Sequence, residues 1–248
     1  MIRLEDKNAI VTGANRGLGK AFVEGLAQAG CNVWGVMRTE SEEFLAFAKK
    51  LEKENNVFVE PIYADLTQER SIKTAYELIN KEKKTIDILI NNAGIAHMEL
   101  FQMTKMEFVH QVYQVNVFAP MIWSRSVLRN MIRQKKGRII NVASTAAEEV
   151  YEGNSVYGAS KAALEAFTKS FGAEVYKYGV TVNAIAPGLI NTDMSVVFEG
   201  KDPKEPIRHT ALGRKIEPKE IVDVVLNMLS DDMSIVNGTV VTINGGHK

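Results

Sequence analysis

Seven short runs of β-prone residues alternate with longer stretches of helical periodicity along this chain. The runs cover residues 9–12, 32–36, 57–62, 86–90, 138–142, 180–186 and 239–243. Six of the seven are nearly continuous in apolar residues, the pattern of parallel strands covered on both faces. Helical patterns fill the gaps over 17–29, 41–54, 68–81, 105–134, 155–176 and 218–229. This alternation predicts an α/β fold, a doubly wound parallel seven-stranded sheet flanked by helices on both faces. One stretch breaks the rhythm. Residues 191–218 are polar, contain Pro203, Pro206 and Gly213, and follow the sixth run. Ligands of doubly wound sheets bind beyond the carboxyl ends of the strands, where such a segment can act as a lid. The plain alternative is an ordinary surface excursion.

The first run leads directly into Thr12-Gly13-Ala14-Asn15-Arg16-Gly17-Leu18-Gly19, and a helix follows. Glycines there permit a tight turn and a close approach of backbone to ligand. The free N–H groups of a helix start favour a pyrophosphate. The spacing is GxxxGxG rather than the common GxGxxG fingerprint, and a glycine cluster alone could be just a tight turn. Its place between first strand and first helix favours cofactor binding, and residues 1–248 then read as a single NAD(P)-binding Rossmann domain. The second run ends at Met37, Arg38 and Thr39, with Glu40 beyond. A carboxylate at this turn would hold ribose hydroxyls, whereas an arginine suits a 2′-phosphate. Arg38 and Arg16 together point to NADP(H), although each could be a surface charge.

Composition narrows the partners. Thirty basic and thirty acidic residues cancel, which takes weight from nucleic-acid binding. No apolar run reaches the length of about 18 residues that a membrane helix needs. The N-terminus lacks the basic start and apolar core of a signal peptide, so the expected compartment is the cytoplasm. Cys31 is the single cysteine, which suits a reducing environment. His97, His110, His209 and His247 show no ligand-like spacing, so no metal site is expected. His97, which follows the Asn91 to Gly94 stretch, could line a pocket or simply pack.

The candidate chemistry lies further along. Tyr157 and Lys161 are four residues apart on a predicted helix and share a face. Ser144 stands just past the fifth run, and Asn116 lies within the long helix after the fourth. A ketone that accepts hydride develops charge on oxygen and needs a proton donor. Free tyrosine titrates near about 10. A cation in contact can lower that by about 1–3 pH units, toward a useful range. Lys161 would supply that charge and hold the cofactor ribose, and Ser144 would hydrogen-bond the same substrate oxygen.

The motifs TGANRGLG, Asn91-Asn92-Ala93-Gly94, Asn116, Ser144, Tyr157-Gly158-Ala159-Ser160-Lys161 and Pro187-Gly188 resemble, in order, those of the short-chain dehydrogenase/reductase family. The likeness spans essentially the whole chain. It implies catalytic roles for Asn116, Ser144, Tyr157 and Lys161. It implies cofactor contacts from Gly13, Asn15, Arg16, Gly17, Leu18 and Gly19, from Arg38, Asp65 and Leu66, and from Asn91, Ala93 and Gly94. Pro187, Gly188, Ile190 and Thr192 complete that implied set, with Tyr157 and Lys161. Asp65 would meet the adenine, Ile190 and Thr192 the nicotinamide carboxamide, and Asn116 would anchor a water relay to Lys161. Within the family the chain is most similar to 3-oxoacyl-acyl carrier protein reductases, through GRIINVAS, YGASKAAL, VTVNAIAPGLINTDM, Leu212-Gly213-Arg214 and the NGG tail. Relatives that act on other carbonyls share these stretches.

Three features bear on substrate and assembly. Arg125, Arg129 and Arg133 make one basic stripe, with Lys135 and Lys136 beyond. An acidic carrier protein could dock there, or the stripe could be a solvated face. Glu148, Glu149 and Glu152 lie between Ser144 and Tyr157, where the family lines its substrate pocket. They either indicate a polar, sugar-like or polyol substrate or point to water. Phe108, Val112, Val115, Phe118, Trp123, Phe167 and Phe171 exceed what one buried stripe needs. The family pairs these helices between subunits, so the expectation is a homotetramer or homodimer with two-fold symmetry. A non-catalytic dinucleotide-sensing protein on the same fold is the remaining alternative.

Overall fold

A computed structural model of the chain describes residues 2–96, 98–198 and 210–246. Seven strands form one sheet: β1 (Asn8–Thr12), β2 (Asn32–Met37), β3 (Val59–Tyr63), β4 (Ile88–Asn91), β5 (Gly137–Val142), β6 (Val180–Pro187) and β7 (Val240–Ile243). Their order is β3-β2-β1-β4-β5-β6-β7, and every pair is parallel. Among the described residues, seven α-helices connect or flank them: α1 (Gly17–Gln28), α2 (Glu42–Asn55), α3 (Glu69–Lys81), α4 (Met106–Tyr113), α5 (Ala119–Gln134), α6 (Ser155–Val175) and α7 (Pro218–Leu229).

The period of two along each strand splits the core into two layers. Ala9 and Val11 of β1 face the cluster built with α1, α2 and α7, through Phe22, Leu26, Phe44, Leu51, Val222 and Val225. Ile10, between them, faces the cluster of α3, α5 and α6, through Ile72, Ile79, Trp123, Val127 and Val175. Every residue of β1, β5 and β6 is buried, which explains their nearly continuous apolar runs. The edge strand β3 exposes Glu60 and Tyr63, and its mixed sequence follows from having one neighbour.

The strand order reverses at β1. The connection from β1 passes to β2 on one side, while β4 lies on the other. A crevice opens where connections diverge in this way, beyond the carboxyl ends of the strands.

Two details differ from the sequence expectation. The long helix expected over 105–134 is divided by a π-helical turn, Gln114–Phe118, with Asn116 at its middle. Pro120 has no N–H to offer the carbonyl four residues back, so regular α-bonding is interrupted there. The polar segment 191–218 begins as a 3₁₀ helix, Asp193–Phe198, and its returning limb is tied down where Ile216 bridges Ile190. Pro203, Pro206 and His209 of this segment, with His97 and His247, lie outside the described residues.

Candidate active site

The turn after β1 carries the first functional groups. Gly13 has φ +67°, a conformation that side chains disfavour. A Cβ on Gly19 would collide with the Gly13 carbonyl oxygen, so the turn and the first coil of α1 can close only with glycine there. Arg16 sits at the N-cap position of α1; among the described residues no side chain caps the helix, and no acid occupies its first turn. The positive end of α1 therefore faces the crevice, as an anion site requires.

Asn92 fixes this turn from the neighbouring strand. Its Nδ2 donates to the carbonyls of Thr12 at 2.9 Å and Gly13 at 3.3 Å. The Thr12 hydroxyl accepts from the backbone N–H of Asn92 at 3.0 Å and of Ala93 at 3.1 Å. Sequence reasoning missed Thr12 and Asn92 as clamps. Their place in the TGANRGLG and NNAG stretches was the available signal.

A cleft of about 410 Å³ runs from these turns to the start of α6. That volume lies within the range of small-molecule and cofactor sites. Its walls bring together Gly13, Asn15, Arg16, Gly17, Leu18, Gly19, Arg38, Asp65, Leu66, Ala93 and Gly94, and also Ser144, Tyr157, Lys161, Pro187, Gly188, Ile190 and Thr192. Arg38 and Arg16 are exposed at one end, with Arg16 3.8 Å from Asp193 at the start of the segment that follows β6. Asp65 accepts from the Thr67 N–H at 2.9 Å and hydroxyl at 2.7 Å. Those bonds, with Arg38 nearby, hold its carboxyl below the usual carboxylate range.

Two expected residues do not reach the wall with their side chains. Asn91 is buried inside the sheet, where its Nδ2 donates to Asn141 at 2.8 Å and Ser124 at 3.3 Å. It supports the sheet end, and Asn92 takes the wall position instead. Asn116 is fully buried behind the wall. Its Oδ1 accepts from the Ile95 N–H at 2.8 Å, and its Nδ2 donates to the Ile95 carbonyl and the Ser160 hydroxyl, both at 3.0 Å. It thus ties the segment after β4 to α6. A Cβ on Gly94 would lie 3.4 Å from both Asn116 Oδ1 and Lys161 Nζ, so the two groups converge on that glycine.

Ser144, Tyr157 and Lys161 stand at the far end. The Ser144 hydroxyl accepts from the Ala146 N–H at 3.2 Å and hydrogen-bonds Tyr157. Lys161 Nζ donates to the Val142 carbonyl at 2.8 Å and lies 5.7 Å from the Tyr157 ring centroid. Burial depresses Lys161 to about 8. Burial also pushes Tyr157 up to about 12, against the hydrogen bond from Ser144, which lowers it. This corrects the expectation that Lys161 draws Tyr157 toward neutrality. The ammonium is engaged by the Val142 carbonyl and packs against the ring, and desolvation of both groups dominates.

The three glutamates expected near the substrate are not on the cleft wall. Glu148 and Glu152 are exposed and Glu149 is partly so. The arginines of the α5 stripe are exposed. Of the apolar residues expected to be in surplus, Val112, Val115 and Trp123 belong to the chain's own core. Phe118 is half exposed, as are Phe101, Met103 and Met106 earlier in the chain.

A family model described as short chain dehydrogenase matches residues 7–202. The chain is 36% identical over 245 residues to the 3-oxoacyl-[acyl-carrier-protein] reductase FabG of Aquifex aeolicus, covering 99% of this chain and 98% of that protein. A short chain dehydrogenase from Burkholderia cenocepacia, solved in complex with NADP, superposes with a TM-score of 0.91 at 29% identity, over 98% of each chain. A candidate NAD(P)-dependent gluconate 5-dehydrogenase from Beutenbergia cavernae, solved with NADP at low occupancy, gives 0.91 at 29% identity over 98% of this chain and 97% of that one.

Proposed function

Because the chain belongs to the short-chain dehydrogenase/reductase family, and is an oxidoreductase of CH–OH or C=O groups, we propose that it is an NADPH-dependent carbonyl reductase whose substrate is a 3-oxoacyl thioester. The observation that carries this reading is the Ser144–Tyr157 hydrogen bond beside Lys161, at the end of a cleft that begins at the uncapped start of α1. The residues fit a dinucleotide phosphate. Arg38 and Arg16 would hold the 2′-phosphate, the α1 terminus the pyrophosphate, Asp65 the adenine, and Lys161 a ribose. When bound, NADPH supplies the hydride.

The remaining chemistry belongs to the side chains. The substrate oxygen sits against the Ser144 and Tyr157 hydroxyls. Ser144 donates a hydrogen bond as negative charge grows there. Tyr157, protonated throughout the neutral range because burial holds it at about 12, gives its proton to the alkoxide. The Lys161 ammonium, held by the Val142 carbonyl, stands 5.7 Å from the ring centroid and keeps that side of the ring fixed. Asn116 acts by holding the Ile95 backbone against α6. Leu189, Ile190 and Met194 give the cleft an apolar wall beside the lid foot, which suits an acyl chain. Residues 191–218 act as the lid, and the arginine stripe of α5 offers a surface to an acidic carrier protein.

A second reading, reduction or oxidation of a small sugar-like or polyol substrate, is favoured by the likeness to the candidate gluconate dehydrogenase. Assembly follows from the half-exposed Phe101, Met103, Met106 and Phe118, which a second copy would cover in a homodimer or homotetramer. The proposed compartment is the cytoplasm, where the lone buried Cys31 stays reduced.

The test is a panel of carbonyls with NADPH and NADH: an acetoacetyl thioester, a simple ketone, a sugar-like ketone and, in reverse, polyols. Faster turnover of the thioester with NADPH is expected. Activity confined to polyols, or none with any carbonyl, overturns the reading.

A further inference from the structure

The loop between Ser144 and Tyr157 converges on one side chain that no motif marks. Asn154, 5% exposed, lies one helical turn before Tyr157. Its Nδ2 donates to the Ala146 carbonyl at 2.8 Å and to the Glu149 carbonyl at 3.1 Å, so both amide hydrogens are used. Its own N–H donates to the Tyr151 carbonyl at 3.3 Å, and its carbonyl accepts from the Gly158 N–H at 2.8 Å. One residue thereby joins three parts: the turn that follows Ser144, the loop apex, and the helix that carries Tyr157. The Ala146 link is the short one. Ala146 also donates its N–H to the Ser144 hydroxyl, so whatever fixes Ala146 fixes Ser144.

The opposite side of the contact is equally constrained. A Cβ on Gly158 would lie 2.5 Å from the Ala146 carbonyl oxygen and 2.7 Å from Asn154 Nδ2. Helix α6 and the turn can approach this closely only because position 158 has no side chain. The Oδ1 of Asn154 is buried with no hydrogen-bond partner among the described residues, a cost that a purely space-filling role would not justify.

We infer that Asn154 is a positioning residue for the reaction: by capturing the Ala146 and Glu149 carbonyls it sets the Ser144 hydroxyl against the Tyr157 hydroxyl. The inference rests on the reading of Tyr157 as proton donor. Amide chemistry is required, because two carbonyl oxygens must be met by two donors. An ionised carboxylate there would face both of them with a negative oxygen.

The experiment compares wild type with Asn154→Ala, Asn154→Asp, Gly158→Ala and Tyr157→Phe. Alcohol oxidation is followed against pH, and NADPH affinity is measured by fluorescence. Oxidation needs tyrosinate, so the rising limb of its pH profile, where activity grows as pH increases, reports the Tyr157 hydroxyl. Loss of the Ser144 hydrogen bond should move that limb upward, since the bond lowers Tyr157. Asn154→Ala should lose about tenfold in kcat, keep NADPH affinity within about twofold and shift the limb to higher pH. Gly158→Ala breaks the same contact from the other side and should show the same signature. Asn154→Asp should be least impaired at low pH, where a protonated acid can still donate one bond, and should worsen as it ionises.

A merely structural role would lower activity at every pH without moving the limb, and that result overturns the inference for any variant whose circular dichroism and melting show a folded protein. An unfolded Asn154→Ala leaves Gly158→Ala and Asn154→Asp to decide by the same criterion. Failure of the underlying reading looks different: Tyr157→Phe would then retain near-wild-type turnover.

Discussion

Lys161 should destabilise the cofactor-free protein at neutral pH, and removing it should show this directly. The side chain is 4% exposed, and burial lowers it from 10.5 to about 8. At about 1.36 kcal/mol per pH unit, this is about 3 kcal/mol against keeping the charge in the folded state. The unfolded chain binds the proton up to its ordinary range, while the folded chain releases it near pH 8. Between those values the unfolded state holds more protons, so wild-type stability rises with pH. Lys161→Met has no such group. It also loses the bond to the Val142 carbonyl, 2.8 Å long in wild type, and an orphaned carbonyl costs about 1–3 kcal/mol.

The variant minus wild-type stability difference should therefore fall by about 3 kcal/mol as pH rises through the window from about 8 to 10.5. At neutral pH Lys161→Met should match or exceed wild type in stability. Above the window it should be the weaker protein. Urea denaturation followed by tryptophan fluorescence is a suitable assay, because Trp34 and Trp123 are both fully buried. Other groups titrate equally in the two proteins and cancel in the difference. A difference that stays flat between neutral pH and the top of the window would falsify the claim that Lys161 is held at a cost. The same variant should lose cofactor affinity and turnover together, which separates Lys161 from a residue retained for packing.

Tyr157→Phe keeps the ring but removes the proton donor. It should cut turnover by about 10²–10⁴-fold in steady-state assays and leave NADPH affinity nearly intact. Near-wild-type rates would remove Tyr157 from the mechanism. Arg38→Asp should weaken NADPH binding by about tenfold or more and narrow the gap to NADH, since charge-assisted hydrogen bonds contribute about 1.5–3 kcal/mol. Wild-type protein that binds NADH more tightly than NADPH in titration calorimetry would refute that assignment. Light scattering at micromolar concentration should show a dimer or tetramer, and Phe118→Glu should shift it toward monomer. A wild-type monomer would mean that the exposed apolar residues around Phe118 have another purpose.

The alternation of apolar runs with helical periods was enough to read the sheet, because parallel strands buried on two faces have few sequence alternatives. Ala9, Ile10 and Val11 serve both layers of the core, so all three had to be apolar. The glycine turn was legible for a related reason: Gly13 takes a backbone conformation that side chains disfavour, and Gly19 sits where any Cβ would clash with the Gly13 carbonyl. Most of the expected site residues do line one cleft. What escaped was electrostatic sign and side-chain direction. The pairing of Tyr157 with Lys161 suggested a depressed tyrosine, but desolvation depends on how deeply the surrounding loops bury both groups, and no local pattern encodes that. Likewise the helical spacing of Val112, Val115 and Trp123 could not say that they pack inward.

Asparagine shows the limit most clearly. Asn15 and Asn92 line the cleft, while Asn91, Asn116 and Asn154 stand behind it. Asn92 captures the carbonyls of Thr12 and Gly13, Asn116 that of Ile95, and Asn154 those of Ala146 and Glu149. In each case the partner is a backbone carbonyl at or just beyond a strand end, where the sheet ladder stops and the chain's polar groups need new partners. A carboxamide can donate to one such group and accept from another, as Asn116 does with both polar atoms of Ile95. A carboxylate cannot donate and a hydroxyl has too short a reach. Carbonyls are common to every residue, so the sequence marks the amide and hides its target. The cleft is therefore shaped less by the groups that would touch a ligand than by the amides behind them, and substitutions at those amides should alter rate before they alter binding.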